Sequence, residues 1–340
     1  MTDTVAVFLF VGVVAYCLLG GADFGAGFWD LVAGGAERGR GPRALIDDSL
    51  APVWEANHTW LIYCLVVLWS AFPRAFAAIT TTLYVPLLLA ALGIVLRGAG
   101  FAFRKASFTT AHRRVYGAVF ALSSVLTPYC FGAVAGGIAS GRVPTRGYGD
   151  AVTSWCNPTS VLGGALAVVV CAFLAGAYLT VAARQRSGRS GLFGYFRRRA
   201  LAAGLVAGAV SIGGIFVLRA DARRLFDHLS GRALPLVVVA AVAGAAAVVL
   251  LWSGGTRLLR EIAALAVALV VVGWGVSQYP FLLGTHLSLT EAASPGSTLN
   301  VVVAVACVAV VLIVPSIVLL FALAGRGSIG ADHARAGEAR

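Results

Sequence analysis

The chain has 340 residues, of which 59% are hydrophobic and only 12% charged, with a net charge of +12 and a mean hydropathy of +0.90. Soluble domains carry about a quarter of their residues charged. Here the charge is confined to short runs between apolar blocks long enough to span a bilayer, which excludes a soluble domain and leaves a polytopic membrane protein. The basic balance does not imply a nucleic-acid partner, because the arginines sit at the ends of apolar blocks, where positive-inside topology accounts for them.

Taken in chain order, nine apolar spans can be drawn at about 5–30, 50–72, 76–97, 115–140, 158–183, 200–220, 234–252, 262–283 and 298–324, each near the ~20 residues a bilayer requires. The first has no basic stretch ahead of it in Met1-Thr2-Asp3-Thr4 and no small-residue cleavage site behind it, so it reads as a retained helix rather than a signal peptide. No block between spans is long enough for a soluble unit, so 1–340 is expected to form one all-α integral membrane domain of packed helices. Sorting the loops by alternate side places roughly three-quarters of the 26 Lys and Arg on one side, in the segments 38–43, 97–114, 184–199, 257–260 and 326–340. That bias predicts the N-terminus outside and the C-terminus in the cytoplasm.

Local signals mark several helix ends. Ser49 is a suitable N-cap for the second span, with Asp47 and Asp48 beside the positive end of its dipole and Pro52 near its first helical positions. The first two helices are then antiparallel and joined by a short loop. Asn157-Pro158 opens the fifth span, while Pro128 and Pro315 fall inside the fourth and ninth, where neighbouring helices or water must satisfy the freed carbonyls. The sixth and seventh spans carry almost no polar residues and read as scaffold or lipid-facing wall. Cys17, Cys64, Cys130, Cys171 and Cys307 lie in spans, Cys156 lies in a loop, and no CxxC occurs, so the cysteines read as small core residues.

Ionisable groups within a membrane span are costly and mark functional sites by default. Glu55, Asn57 and His58 fall in the first two turns of the second span. Asp23 lies in Gly20-Gly21-Ala22-Asp23-Phe24-Gly25-Ala26-Gly27-Phe28-Trp29-Asp30, near the inner end of the first. At 1.5 Å per residue both carboxylates sit roughly 7–11 Å below the inner surface. Two acids at one depth on adjacent helices suit a proton relay, and His58, one turn beyond Glu55, extends the polar line inward. Each has a structural alternative: Asp23 bonding the loosened backbone of a glycine-rich helix end, Glu55 serving the helix dipole, His58 as a hydrogen-bonded core histidine. Trp29, Trp54, Trp60 and Trp69 read as interfacial belt and packing residues, and Asp30 as a solvated end group. The residues of the eighth span and the loop after it, Gln278, Tyr279, His286, Ser288, Thr290 and Glu291, are expected to face outside in structural roles.

Haem ligation can be tested by counting. The only methionine is Met1, and of His58, His112, His228, His286 and His333 only His58 lies in a span. That nearly excludes a bis-His or His/Met haem held by this chain alone, and no metal site is expected. On residues alone the leading reading is a proton-coupled secondary transporter, its buried acids binding a coupling ion and substrate.

Two stretches change that ranking. Gly20-Gly21-Ala22-Asp23-Phe24-Gly25-Ala26-Gly27 and Ala51-Pro52-Val53-Trp54-Glu55-Ala56-Asn57-His58-Thr59-Trp60-Leu61-Ile62 resemble, at their spacing, the opening third of subunit II of the cytochrome bd-type quinol oxidases. Weaker similarity continues through Tyr279-Pro280-Phe281, Ser288-Leu289-Thr290 and Ser297-Thr298-Leu299. The resemblance implies a multi-pass protein of the bacterial plasma membrane that works within a quinol:oxygen oxidoreductase and is not catalytic alone. It implies a partner subunit I that binds two b haems and a d haem and oxidises quinol, with no haem on this chain. A small accessory single-span subunit, membrane lipid and a structural quinone are further candidate associates. The family's acidic positions fall on Asp23 and Glu55, with His58 beside them as a proton-path candidate. Gly20, Gly21, Gly25, Gly27, Pro52, Trp54, Asn57 and Trp60 match as motif and packing positions.

Overall fold

The glycine-rich first helix is the axis on which the others pack. In the computed structural model, which describes residues 1–35, 37–50, 54–107, 109–145, 148–186, 190–284 and 286–325, α1 (Thr2–Leu31) packs against α3 (Trp54–Ala71), α6 (Thr110–Ala139) and α7 (Pro158–Gln185). Between α1 and α3 lies α2 (Arg40–Leu50). After α3 come α4 (Pro73–Thr82) and α5 (Tyr84–Ala106), and after α7 come α8 (Ser190–Asp221), α9 (Arg223–Ser230), α10 (Leu234–Ser253) and α11 (Leu259–Gln278). A two-stranded antiparallel hairpin of β1 (Phe281–Leu283) and β2 (Leu287–Ser288), the single turn α12 (Leu289–Ala292) and α13 (Gly296–Gly325) complete the chain.

Among the described residues, seven helices are long and apolar enough to cross a membrane: α1, α5, α6, α7, α8, α10 and α11. The pair α3 and α4 makes an eighth candidate, turning through 118° between Ala71 and Pro73. The turn has a local cause, since Pro73 has no N–H to continue the ladder and sits at the first positions of the new helix. The expected third span, 76–97, also divides, at Leu83: its first residues belong to the separate, inclined α4, and the crossing helix begins at Tyr84.

Two further expectations are corrected nearby. The link between the first two spans is no short loop but contains α2, whose apolar residues Leu45 and Ile46 are buried against α7 and α8. Ser49 lies in the last turn of α2 rather than capping α3, while Pro52 lies outside the described residues. Farther on, the eighth span ends at Gln278, and Phe281–Leu283 belongs to the hairpin. Other ends follow their sequence signals. Asn157 caps α7 by accepting from the Ser160 N–H at 2.9 Å, Thr109 caps α6 by accepting from His112 N–H at 3.3 Å, and Gly254 closes α10 in the left-handed region at φ +78°.

The apolar core is split between the two ends of the bundle. At the arginine-rich end Ala22, Ala26 and Trp29 of α1 pack with α2, the second half of α7, and the adjoining parts of α8, α10 and α11. At the opposite end Val5 packs with the end of α3, α4, Val134 and Ile138 of α6, the hairpin and Leu299 of α13.

Candidate functional site

Between these two cores, toward the arginine-rich end, α1 meets α3, α5 and α6 through polar side chains. Asp23 and Arg97 are 2% and 3% exposed. Their ion pair is 2.6 Å from Arg97 Nη2 to Asp23 Oδ1, and the same nitrogen donates to the Asp23 carbonyl at 3.0 Å. Arg97 Nη1 donates to Ser124 Oγ at 2.7 Å, and Ser124 in turn donates to the Phe120 carbonyl of its own helix. The guanidinium is also flanked by the rings of Phe120 at 4.6 Å and Phe24 at 5.2 Å. Taking one member from a buried pair of this kind leaves an uncompensated charge, at a cost of about 3–5 kcal/mol.

The close approach needed for this pair is made by glycine. A Cβ on Gly25 would sit 1.9 Å from the backbone oxygen of Cys171 in α7, and one on Gly27 would sit 2.1 Å from Ser124 Oγ. Those positions let α1 lie directly against α7 and α6, which brings Asp23 within reach of α5. Gly20 faces the Tyr16 ring, and Gly21 touches Cys171 and Leu174 with ordinary spacing.

Above Asp23 along α1, an aromatic cluster continues the site. Tyr16 stands edge-on to Phe24 at 6.4 Å, to Phe131 at 6.0 Å and to His58 at 6.2 Å, and Phe24 stands edge-on to His58 at 6.0 Å. Asn57 is buried and donates to the Leu19 carbonyl at 3.3 Å, tying α3 to α1. Buried polar atoms without a hydrogen-bond partner here include Tyr16 Oη, Asp23 Oδ2 and Arg97 Nε. Unpartnered polar atoms at this depth call for internal water. His58 thus lies against Tyr16 and against Phe24, the residue that follows Asp23 on α1. Glu55 and Trp54 belong to the first turn of α3, but their side chains fall outside the described residues. Trp60 is half-buried, edge-on to Tyr63 at 6.1 Å.

One turn pair farther toward the arginine-rich surface lies a layer that the sequence reading misjudged. Asp30 is not a solvated end group but is 4% exposed, bonded by Arg43 Nε at 2.7 Å and by Arg104 Nη1. Arg104 reaches on to Asp47 at 2.6 Å, and Arg43 donates to the Gly34 carbonyl at 2.7 Å. Asp47 therefore braces α2 to α5 instead of serving the start of α3. Asp23 and Asp30 are seven residues apart on α1, as are Arg97 and Arg104 on α5, so the helices face each other through two matched ion pairs. The ring of Phe120 lies against both guanidinium groups. The signal was present as an arginine at position 97 followed seven residues later by another, at the end of an apolar run. Trp29 also departs from the belt expectation: it is 5% exposed and donates from Nε1 to the Ala172 carbonyl at 2.8 Å.

Among the described residues the donor set does not fit a haem. His58 is packed edge-on between two aromatic rings, and Met1 is 61% exposed at the chain start. Among the described residues no three or more His, Cys, Asp or Glu are grouped to hold a metal ion.

Comparison with known proteins places this arrangement. The sequence profile of the family described as Cytochrome bd terminal oxidase subunit II matches residues 1–324. The chain belongs to that family. Among curated relatives, cytochrome bd ubiquinol oxidase subunit 2 of Bacillus subtilis (strain 168) is 28% identical over 165 residues, 48% of this chain and 47% of the relative. Cytochrome bd-I ubiquinol oxidase subunit 2 of Escherichia coli (strain K12) is 28% identical over 135 residues, 39% of this chain and 35% of the relative. The chain thus spans half or less of the length of the curated relatives it matches. A chain of the bd oxidase from Geobacillus thermodenitrificans superposes with a TM-score of 0.76, covering 95% of this chain and 98% of that one at 21% identity, which establishes a shared fold. Family membership and the apolar helices together make this a multi-pass membrane protein of bacterial type. The cytochrome bd subunit II family match also displaces the transporter reading that buried acids alone favour.

Proposed function

We propose that this chain is the haem-free second subunit of a respiratory quinol:oxygen oxidoreductase, embedded with its arginine-rich end toward the cytoplasm. In this reading α13 is the ninth crossing, the N-terminus lies outside and the C-terminus inside. A partner subunit carries the b and d haems and oxidises quinol. The family match over residues 1–324 carries the assignment, and the donor set supports placing the haems elsewhere.

Within that assembly this chain supplies a proton route from the arginine-rich side. Reduction of oxygen consumes protons, and the low-dielectric interior demands placed polar groups to bring them in. Asp23, Glu55 and His58 are the proposed stations. The pairing with Arg97 gives Asp23 a particular part: a fixed charge pair that holds water in place through Asp23 Oδ2 and Arg97 Nε, while Glu55 and His58 exchange the proton. Uptake from one side while quinol releases protons on the other makes the reaction electrogenic without a pump.

The assignment is tested by separating the purified complex and recording a haem spectrum of each subunit. The intact complex is expected to show b- and d-type bands and this chain none. Stoichiometric haem on this chain alone would contradict the assignment.

A further inference from the structure

The arginine-rich end carries a second constellation, away from the α1–α3–α5 site, at the corner where α7, α8 and the turn between α10 and α11 meet. Arg184, at the end of α7, donates to the Gly254 carbonyl at 3.1 Å. Arg197 of α8 donates through Nε to the Leu251 carbonyl at 2.6 Å and through Nη2 to the Trp252 carbonyl. Both guanidinium groups thus converge on the carbonyl end of α10, where the helix dipole favours cations. Arg257 stands exposed in the turn that follows, and Arg260 opens α11 with its guanidinium 6.0 Å from the Tyr178 ring and its Nε buried without a partner.

Each guanidinium offers five N–H donors, and the carbonyls engage one nitrogen of Arg184 and two of Arg197, so donors are left over. The acid of this turn is Glu261, one carboxylate against four cations. An exposed apolar pair stands beside them. Trp252 is 71% exposed, and Leu258 is 57% exposed with φ +61°, a conformation that residues other than glycine rarely hold. The turn therefore displays a leucine next to Arg257 at the expense of backbone ease, which points to a use for it.

We propose that this corner binds an anionic phospholipid. Arg184, Arg197, Arg257 and Arg260 hold the headgroup phosphate, and Trp252 and Leu258 lie against the glycerol and acyl portion. Charge complementarity selects the anion, since basic clusters at the ends of membrane helices recognise acidic headgroups. The adjoining exposed tryptophan and leucine select a lipid over free phosphate, because a soluble anion makes no use of them.

The test uses the full chain in its purified complex, delipidated in neutral detergent and titrated with phosphatidylglycerol, phosphatidylcholine or inorganic phosphate under native mass spectrometry. Phosphatidylglycerol is expected to bind and phosphatidylcholine to bind weakly, with inorganic phosphate failing to displace the lipid. Arg184→Gln with Arg257→Gln is expected to weaken phosphatidylglycerol binding about thirty-fold, and Arg257→Gln alone about five-fold, at the usual worth of one surface arginine. Arg38→Gln with Arg114→Gln removes the same charge elsewhere on this end and should leave binding unchanged. Leu258→Gly relaxes the backbone and is expected to weaken lipid binding while leaving any phosphate binding alone. Equal loss in the Arg38 and Arg114 control, displacement by phosphate, equal binding of phosphatidylcholine, or occlusion of the corner by another chain would each overturn the proposal.

Discussion

The surroundings of α1 at the arginine-rich end and the opposite end of the bundle use charge in opposite ways. At the arginine-rich end the acids point inward: Asp23 and Asp30 are almost fully buried and are met by arginines from α5 and α2. At the other end charges tie loops to helix ends. Asp221 at the end of α8 accepts from Arg142 at 2.6 Å and from Thr159 Oγ1 at 2.6 Å, joining three helix termini. Arg232 donates to the Ser277 and Tyr279 carbonyls at the end of α11, Arg224 donates to the Gly284 carbonyl, and Ser288 and Glu291 form a capping box at α12. Polar groups at the first end make a site, and at the second end a rim. The difference follows from depth, because a charge far from water persists only when paired, whereas one at the boundary needs a carbonyl or a cap.

The contrast should appear as a gradient of mutational effects. Arg97→Ala is expected to have the largest, destabilising the folded complex by about 3–5 kcal/mol because Asp23 is left buried and unpaired. Replacing both partners at once, Asp23→Leu with Arg97→Met, should recover most of that loss. Thermal unfolding followed by the amount of monodisperse complex reads both, and equal damage from single and double replacement would break the comparison. At the opposite end, Asp221→Asn should cost only about 1 kcal/mol, since the amide still accepts from Thr159 and Arg142 is partly solvated. A loss as large as that of Arg97→Ala would mean that the rim is a second buried centre.

The smallest effect is one of pH. The backbone N–H and hydroxyl of Ser288 hold the Glu291 carboxyl below its usual range. A carboxylate whose folded pKa is depressed adds stability that is fully present above its unfolded pKa, about 4.3. That stability disappears as pH falls through the folded value. Amide exchange in 287–292, corrected for its intrinsic pH dependence, should therefore loosen below about pH 4, while the α1 segment around Asp23 stays protected. Simultaneous loosening of both regions would contradict the separation of site from rim.

How much of this was legible in the sequence depended on what each residue answered to. Helix existence followed from apolar length, and the start at Asn157 followed from cap chemistry, which is local. The paired motifs led to Asp23, Asn57 and His58; Asn57 bonds to the Leu19 carbonyl of α1, and His58 lies against Phe24, next to Asp23 in the chain. What failed depended on partners distant in sequence. Arg97 read as a loop cation because its compensating acid lies 74 residues away on α1. Asp30 read as solvated because the arginines that bury it come from α2 and α5. The break at Leu83 was hidden because 76–97 reads as one span, although its first residues belong to the separate helix Pro73–Thr82.

The proposed function depends on the polar line through α1 and α3. Its most direct test is oxygen-reduction turnover per haem in the purified complex carrying Asp23→Asn and Glu55→Gln together, substitutions that keep shape while removing the fixed charge of Asp23 and the proton-exchanging carboxyl of Glu55. With haem content equal to that of the unaltered complex, turnover is predicted to fall about a hundred-fold, the lower end of the range for loss of a positioned proton-transfer group, with the proton-linked phases of a single turnover slowed. Normal turnover in assembled, haem-replete double variants would contradict the proton route and leave Asp23 and Glu55 as structural groups.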